Sequence, residues 1–274
     1  MPTRDFAQSK DGLKLRYEIR GSGAPVAFIM GFSGSSRAWS ERFLNLMEPH
    51  FKLITIDNRG TGESGKPDTA WTLRDMADDV AAVLDHARLP KTHVFGISMG
   101  GMIAQEYALA YPSRVQGLVL GCTNCGMAHS VQGDPAVVGK LMPQPGMSPV
   151  EAAMAAFSVA CGKAFFSSAE GQKFIQAEMI EAAKYPITPP HTFVRQFGAI
   201  SGFDSYARLG EIKAPTLVIH GDDDAIVPFA NADVLNKAIA GSRKHVLKGV
   251  GHMFFWEAPQ ETAKVATEFF NGVK

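Results

Sequence analysis

Short, unbroken apolar runs punctuate this chain: PVAFIM at residues 25–30, KLITID at 52–57 and THVFGIS at 92–98. A run without polar alternation suits a strand buried on both faces, as in a parallel sheet. VQGLVLG (115–121), PTLVIHG (215–221) and KHVLKG (244–249) repeat the pattern later. LKLRYEIRG (13–21) differs, because apolar and polar residues alternate with period two; it predicts an exposed antiparallel strand. Between the runs lie helical stripes. Leu73, Met76, Val80, Val83 and Ala87 recur at helical spacing behind Thr72, a residue suited to an N-cap. MGGMIAQEYALAYP (99–112) reads as a helix closed by its proline, and helices are expected at 230–239 and 259–270. Strands alternating with helices predict an α/β fold: a doubly wound, mostly parallel sheet with antiparallel pairing at its beginning.

Between Cys122 and about Leu209 the strand signal disappears. SPVE (148–151) is a capping box with Pro149 at the first helical position. SSAE (167–170) is a second, and Phe193, Phe197 and Ile200 form a third helical stripe. The chain thus divides into a core, residues 1–121 and 210–274, and a helical lid, residues 122–209, inserted between two strands. Ligands of α/β sheets bind beyond the carboxyl ends of the strands, so the lid is expected to cover that edge. Met142, Met147, Met154, Phe157, Phe165, Phe166, Phe193 and Phe197 are candidates for an apolar pocket lining, or for the lid's own core.

At 274 residues and 46% hydrophobic, the chain can bury a sizeable core. Its 27 basic residues balance 27 acidic ones, so no cationic footprint points to nucleic acid or to a membrane surface. The opening MPTRDFAQSKDGLKL has no apolar signal region, and no run is long enough to span a bilayer. Three cysteines cannot all pair within one chain, which fits a reducing compartment and makes the cytoplasm the default location. The expected partner is a small molecule, with formation of a homo-oligomer left open.

Gly96-Ile97-Ser98-Met99-Gly100 matches G-x-S-x-G, with a predicted strand before it and a predicted helix after it. That context turns a weak pentapeptide into a nucleophile elbow. Small residues at Gly96 and Gly100 let strand and helix approach while Ser98 sits on the sharp turn. Serine needs a base, and the base needs an orienting carboxylate; the elbow's chain order is serine, acid, histidine. HGDDDAIVP (220–228) offers Asp222, Asp223 and Asp224 beyond one strand, and GVGHMFFWEAP (249–259) offers His252 beyond the last. The N–H of Met99, the residue after the nucleophile, is a natural oxyanion donor.

Other patterns carry less. GTGESG (60–65) matches the dinucleotide fingerprint G-x-G-x-x-G, but Pro67 follows too soon for the helix that would meet a pyrophosphate. Cys122 and Cys125 form a lone C-x-x-C with neither a second pair nor nearby histidines, so zinc and redox roles are discounted. The eight histidines show no metal-binding spacing. His220 reads as a structural hydrogen-bonding residue and Asp57 as a loop-fixing one.

With these residues in place, the chain resembles the α/β-hydrolase family over essentially its full length. The likeness is greatest to the lid-bearing branch of carboxylesterases, enol-lactonases, C–C bond hydrolases and cofactor-free haloperoxidases. DNRGTGES (57–64) is similar to that family's loop after the strand beside the elbow. The resemblance implies that the acid stands four residues before the proline of D-x-x-x-P, hence Asp224. It also implies an oxyanion loop at Met30-Gly31-Phe32, where the family usually has histidine, glycine and then the donor. Phe32 inherits the donor role, and a backbone donor does not need the absent histidine. The implied activity is hydrolysis of small, apolar carboxylic esters by Ser98, Asp224 and His252, without a cofactor. Lactone hydrolysis, C–C bond hydrolysis and perhydrolysis share the triad, although C–C hydrolases commonly carry asparagine where Ile97 stands. A ligand receptor without turnover is the reading from another class.

Overall fold

The computed structural model describes residues 2–142 and 144–273. Its strands are β1 (Thr3–Gln8), β2 (Lys14–Gly21), β3 (Ala24–Ile29), β4 (Phe51–Ile56), β5 (Thr92–Ile97), β6 (Val115–Gly121), β7 (Thr216–Gly221) and β8 (Arg243–Leu247). They form one eight-stranded sheet in the order β1-β2-β4-β3-β5-β6-β7-β8. β2 pairs antiparallel with both β1 and β4, and all other neighbours are parallel. The apolar runs became the parallel strands, and every residue of β5 and β7 is buried. β1 reads TRDFAQ, too polar to register as a strand by pattern, and its pairing with β2 is new information.

The helices are α1 (Glu41–Met47), α2 (Leu73–His86), α3 (Met99–Ala110), α4 (Pro135–Gly139), α5 (Pro149–Ala160) and α6 (Lys163–Ser167). They continue with α7 (Ala169–Ala182), α8 (Pro190–Ser201), α9 (Ala230–Ala238), α10 (Phe254–Glu257) and α11 (Pro259–Asn271). Thr72 caps α2 as expected: its hydroxyl accepts the Asp75 N–H, and the Asp75 carboxylate accepts the Thr72 N–H. On one face of the sheet Val80, Ile103 and Leu235, from α2, α3 and α9, pack with Ile54 and Val94. On the other, Phe43, Phe254 and Phe269, from α1, α10 and α11, pack with Phe28 and Phe95. Helices on both faces are what strands without a polar side require.

Helices α4 to α8 occupy the chain between β6 and β7. The SPVE capping box heads α5. The second start shifts by one residue, because Ser167 ends α6 and Ser168 caps α7, its hydroxyl accepting the Gly171 N–H at 2.9 Å. In α8 the aromatic stripe is not the buried face. Phe197 is 47% exposed, whereas Thr192, Gln196 and Ala199 are buried. No helix among the described residues is long and apolar enough to cross a membrane. Strand order reverses at β3, flanked by β4 and β5, so the loops leaving β3 and β5 part to opposite sides and leave a crevice between them.

Candidate active site

Ser98 is the single residue between β5 and α3, with φ 53° and ψ −125°. This left-handed backbone costs a non-glycine residue about 1–3 kcal/mol and persists only where its surroundings enforce it. Here the Ser98 N–H donates to Gly121 O at 2.9 Å, and Thr123 Oγ1 donates to Ser98 O at 2.7 Å. Gly96 and Gly100 do not take positive φ. They are small for reasons of distance: a Cβ on Gly96 would lie 2.2 Å from Gly100 O, and one on Gly100 would lie 2.1 Å from Ile29 O. A Cβ on Gly31 would lie 3.0 Å from Ser98 Cβ, so the loop after β3 rests directly against the serine.

His252 lies in the loop between β8 and α10, and Asp224 in the loop after β7. Their side chains meet: His252 Nδ1 is 2.7 Å from Asp224 Oδ2. Asp224 is buried, and its Oδ1 accepts the N–H groups of Ile226 and Val227, each at 2.9 Å. His220 is also fully buried; its Nε2 lies 2.9 Å from Val227 O and 3.2 Å from Asp224 Oδ2. Burial alone would raise the Asp224 pKa, but the two imidazoles outweigh it and hold the carboxyl well below its usual range. Burial likewise disfavours a charged His252, and the Asp224 carboxylate more than offsets this, raising that pKa well above its ordinary value. Asp222 and Asp223 serve elsewhere, accepting the N–H groups of Gly249 and Lys163.

The histidine loop is anchored to the inserted helices. Met253 N–H donates to Ala160 O at 2.9 Å, and the Glu257 carboxylate accepts the N–H groups of both Gly251 and Gly162. The loop after β3 is anchored to the DNRGTGES segment. Asp57 Oδ1 accepts the Ser36 N–H at 2.8 Å, its Oδ2 accepts the Glu63 N–H at 2.9 Å, and Asn58 Nδ2 donates to Met30 O at 2.8 Å. Arg59, in a buried ion pair with Asp79 of α2 at 2.6 Å, pins the same segment from behind. Among the described residues, neither the Phe32 nor the Met99 N–H donates to a protein acceptor.

A cavity of about 730 Å³ is lined by Ser98, His252, the loop of Met30 to Ala38, and parts of α5 and α7. No hydrogen bond links Ser98 Oγ to His252 among the described residues; such contacts often tighten only when substrate binds. With Nδ1 held by Asp224, Nε2 is the ring nitrogen left to exchange a proton. Of the apolar lid residues named above, Phe157 alone lines this cavity; Met154, Phe165 and Phe166 pack against the core instead. Ala153, Ala156 and Ala160 of α5 form one wall of the cavity.

Two neighbours of this site carried little sequence signal. Cys122, Asp224 and His252 bring donor atoms within 4.8 Å of one another. The Asp224 oxygens already face the N–H groups of Ile226 and Val227 and the His252 ring, with His220 Nε2 at 3.2 Å, and burial pushes the Cys122 thiol pKa up, so this set suits holding a proton better than a cation. Cys122 follows the end of β6, and its place beside the strand carrying the acid was the available clue. Gln196, on the buried face of α8, had none.

The family model for the alpha/beta hydrolase fold matches residues 24–259. A protein of Variovorax paradoxus (strain S110), provisionally named carbamate hydrolase RutD, is 31% identical over 244 residues, covering 88% of this chain and 90% of its own. A solved thermophilic esterase from Thermogutta terrifontis is 26% identical, covers 99% of each chain and has a TM-score of 0.82. Est816, described as an N-acyl homoserine lactone degrading enzyme, is 27% identical over 97% of this chain and 100% of its own, with a TM-score of 0.79.

Proposed function

The chain belongs to the alpha/beta hydrolase fold family, and from that premise we propose that this hydrolase cleaves carboxylic esters through an acyl-enzyme on Ser98. Ser98 Oγ attacks the ester carbonyl carbon while its proton passes to His252 Nε2. Asp224 fixes the ring's tautomer and stabilises the imidazolium. The carbonyl electrons move onto oxygen, where the N–H groups of Phe32 and Met99 receive them. Collapse of this intermediate breaks the bond to the alcohol oxygen, which takes the proton from His252. Water then gives a proton to His252 and attacks the acyl-enzyme, and the acid leaves as Ser98 recovers its proton. Neither half consumes a cofactor. Helices α4 to α8 act as the lid of this site.

The observation that carries this reading is a strained serine sharing a cavity with a histidine anchored at 2.7 Å to a buried carboxylate. Two N–H groups without protein acceptors, on the residues expected to donate, support it further. The cavity falls within the roughly 300–1,000 Å³ of sites for drug-sized ligands, and its alanine wall favours an apolar acyl or alcohol group larger than acetate. Carbamate cleavage is the second reading, favoured by likeness to the Variovorax protein. The same attack would then leave a carbamoyl group on Ser98.

A panel of p-nitrophenyl esters, a carbamate and a lactone, run beside Ser98→Ala, tests the proposal. Ester turnover is expected to fall by about four orders of magnitude or more in the variant. Turnover that survives Ser98→Ala would overturn the reading.

A further inference from the structure

Helix α8 belongs to the insertion, yet its buried face is polar and reaches the loop that carries Phe32. Gln196 is fully buried. Its Oε1 accepts the Ser33 N–H at 2.8 Å, and its Nε2 donates to Arg59 O at 3.3 Å. Just before α8, Thr188 Oγ1 donates to Ser33 O at 3.0 Å. Both backbone polar groups of Ser33 are therefore held by the insertion. Ser33 takes φ 58°, a left-handed conformation that a serine keeps only under such restraint.

Ser33 directly follows Phe32, whose N–H is the oxyanion donor in the reading above. Gly31, on the other side, has no side chain to limit its backbone. The Phe32 N–H shares its peptide plane with Gly31 O, which accepts the Gly34 N–H at 3.3 Å, so that plane is set by a turn with Ser33 inside it. Phe193 of α8 adds an edge-to-face contact with the Phe32 ring at 5.6 Å.

We propose that Gln196 is a positioning residue for hydrolysis, gripping Ser33 so that the Phe32 N–H is aimed at the developing oxyanion. This inference rests on the assignment of Ser98 as nucleophile and Phe32 as donor. Its consequence is that the oxyanion hole is complete only while α8 is docked. A purely structural Gln196 would instead satisfy buried polar groups and affect stability alone.

Thr192, on the same buried face, separates the two roles. Its Oγ1 donates to Gly60 O at 3.2 Å, fastening α8 to the core at Gly60 rather than at Ser33. Gln196→Met removes the acceptor for Ser33 at similar length, and Thr192→Val removes a fastening of the same helix. Each is compared with wild type and Ser98→Ala for kcat and KM on a p-nitrophenyl ester, for affinity toward a boronic acid, and for Tm. A boronic acid forms a tetrahedral adduct with the serine and so reports on the oxyanion hole.

Gln196→Met is expected to lower kcat about ten- to a hundredfold, keep KM within about twofold, and weaken the boronate by a similar factor to kcat. Thr192→Val is expected to lower Tm while holding kcat within about twofold. Wild-type kcat in Gln196→Met, or an equal kcat loss in Thr192→Val at matched Tm, overturns the inference. Should Gln196→Met fail to fold, Thr188→Val, at a half-buried position, replaces it. A lowered kcat there supports the grip on Ser33, and an unchanged one overturns it. Turnover surviving Ser98→Ala overturns the underlying reading as well, and that variant alone tells the two failures apart.

Discussion

On the proposed mechanism, His252 must be neutral before it can accept the Ser98 proton. Although burial opposes a charged ring, the Asp224 carboxylate prevails and holds the His252 pKa well above the ordinary 6.5. The base form is populated only above that pKa, so kcat/KM is expected to climb with pH along an acid limb centred above 6.5. A limb centred below that value, in a pH profile of ester hydrolysis, would contradict the pairing. Gly100 gives a second test at this scale. Gly100→Ala would press a Cβ to 2.1 Å from Ile29 O, a backbone atom that cannot swing aside, and is expected to cost at least about 1–3 kcal/mol in urea melts. Gly139→Ala, at the last residue of α4 with nothing within 4 Å of its Cβ, is expected to gain roughly 0.4–1 kcal/mol by restricting the unfolded chain. The places of Ser98, Asp224 and His252 just beyond strand ends could be read from the chain, because each follows an apolar run that became a strand. Gln196 and Cys122 could not be assigned, since their contacts join segments far apart in sequence and obey no spacing.

Among the elements, β5 carries an unexpected burden in His93, which is buried against Phe270 at a ring separation of 4.5 Å. Its Nδ1 finds no partner among the described residues. Burial, aided by the Lys91 charge, pushes its pKa down to about 4 from an ordinary 6.5. As pH falls below 6.5 the unfolded chain takes up this proton first, so the contribution of His93 to stability is lost between pH 6.5 and about 4. His93→Phe is expected to lose less stability than wild type over that window, measured as urea unfolding at several pH values. Identical pH slopes in the two proteins would refute the assignment. Element boundaries followed the strength of local signals. The apolar runs located β3 to β8 within a residue or two, and the capping box located α5. β1 escaped notice because its stability comes from pairing with β2 rather than from its own pattern. The apolar stripe located α8 but not its buried face, because Thr192 and Gln196 are buried by hydrogen bonds to core loops, which a hydrophobic pattern cannot report.

For the whole molecule, alternation of strands and helices was enough to foresee the α/β sheet, and the loss of strand signal was enough to foresee inserted helices between β6 and β7. The shape of the cavity was not legible, because small side chains leave space and composition records only what fills it. The alanine wall of α5 gives a direct test of that space. Ala156→Phe is expected to lower kcat/KM for a medium-chain ester by at least about tenfold while leaving acetate within about twofold. Equal losses on both substrates would mean that Ala156 does not shape the acyl site. The central claim, a covalent bond at Ser98, is tested most directly by peptide mass spectrometry after treatment with a fluorophosphonate. A single phosphonyl adduct on the Ser98 peptide, formed far more slowly in His252→Gln, is the expected result. Continued ester turnover with no adduct on Ser98, or with the adduct on another residue, would contradict it.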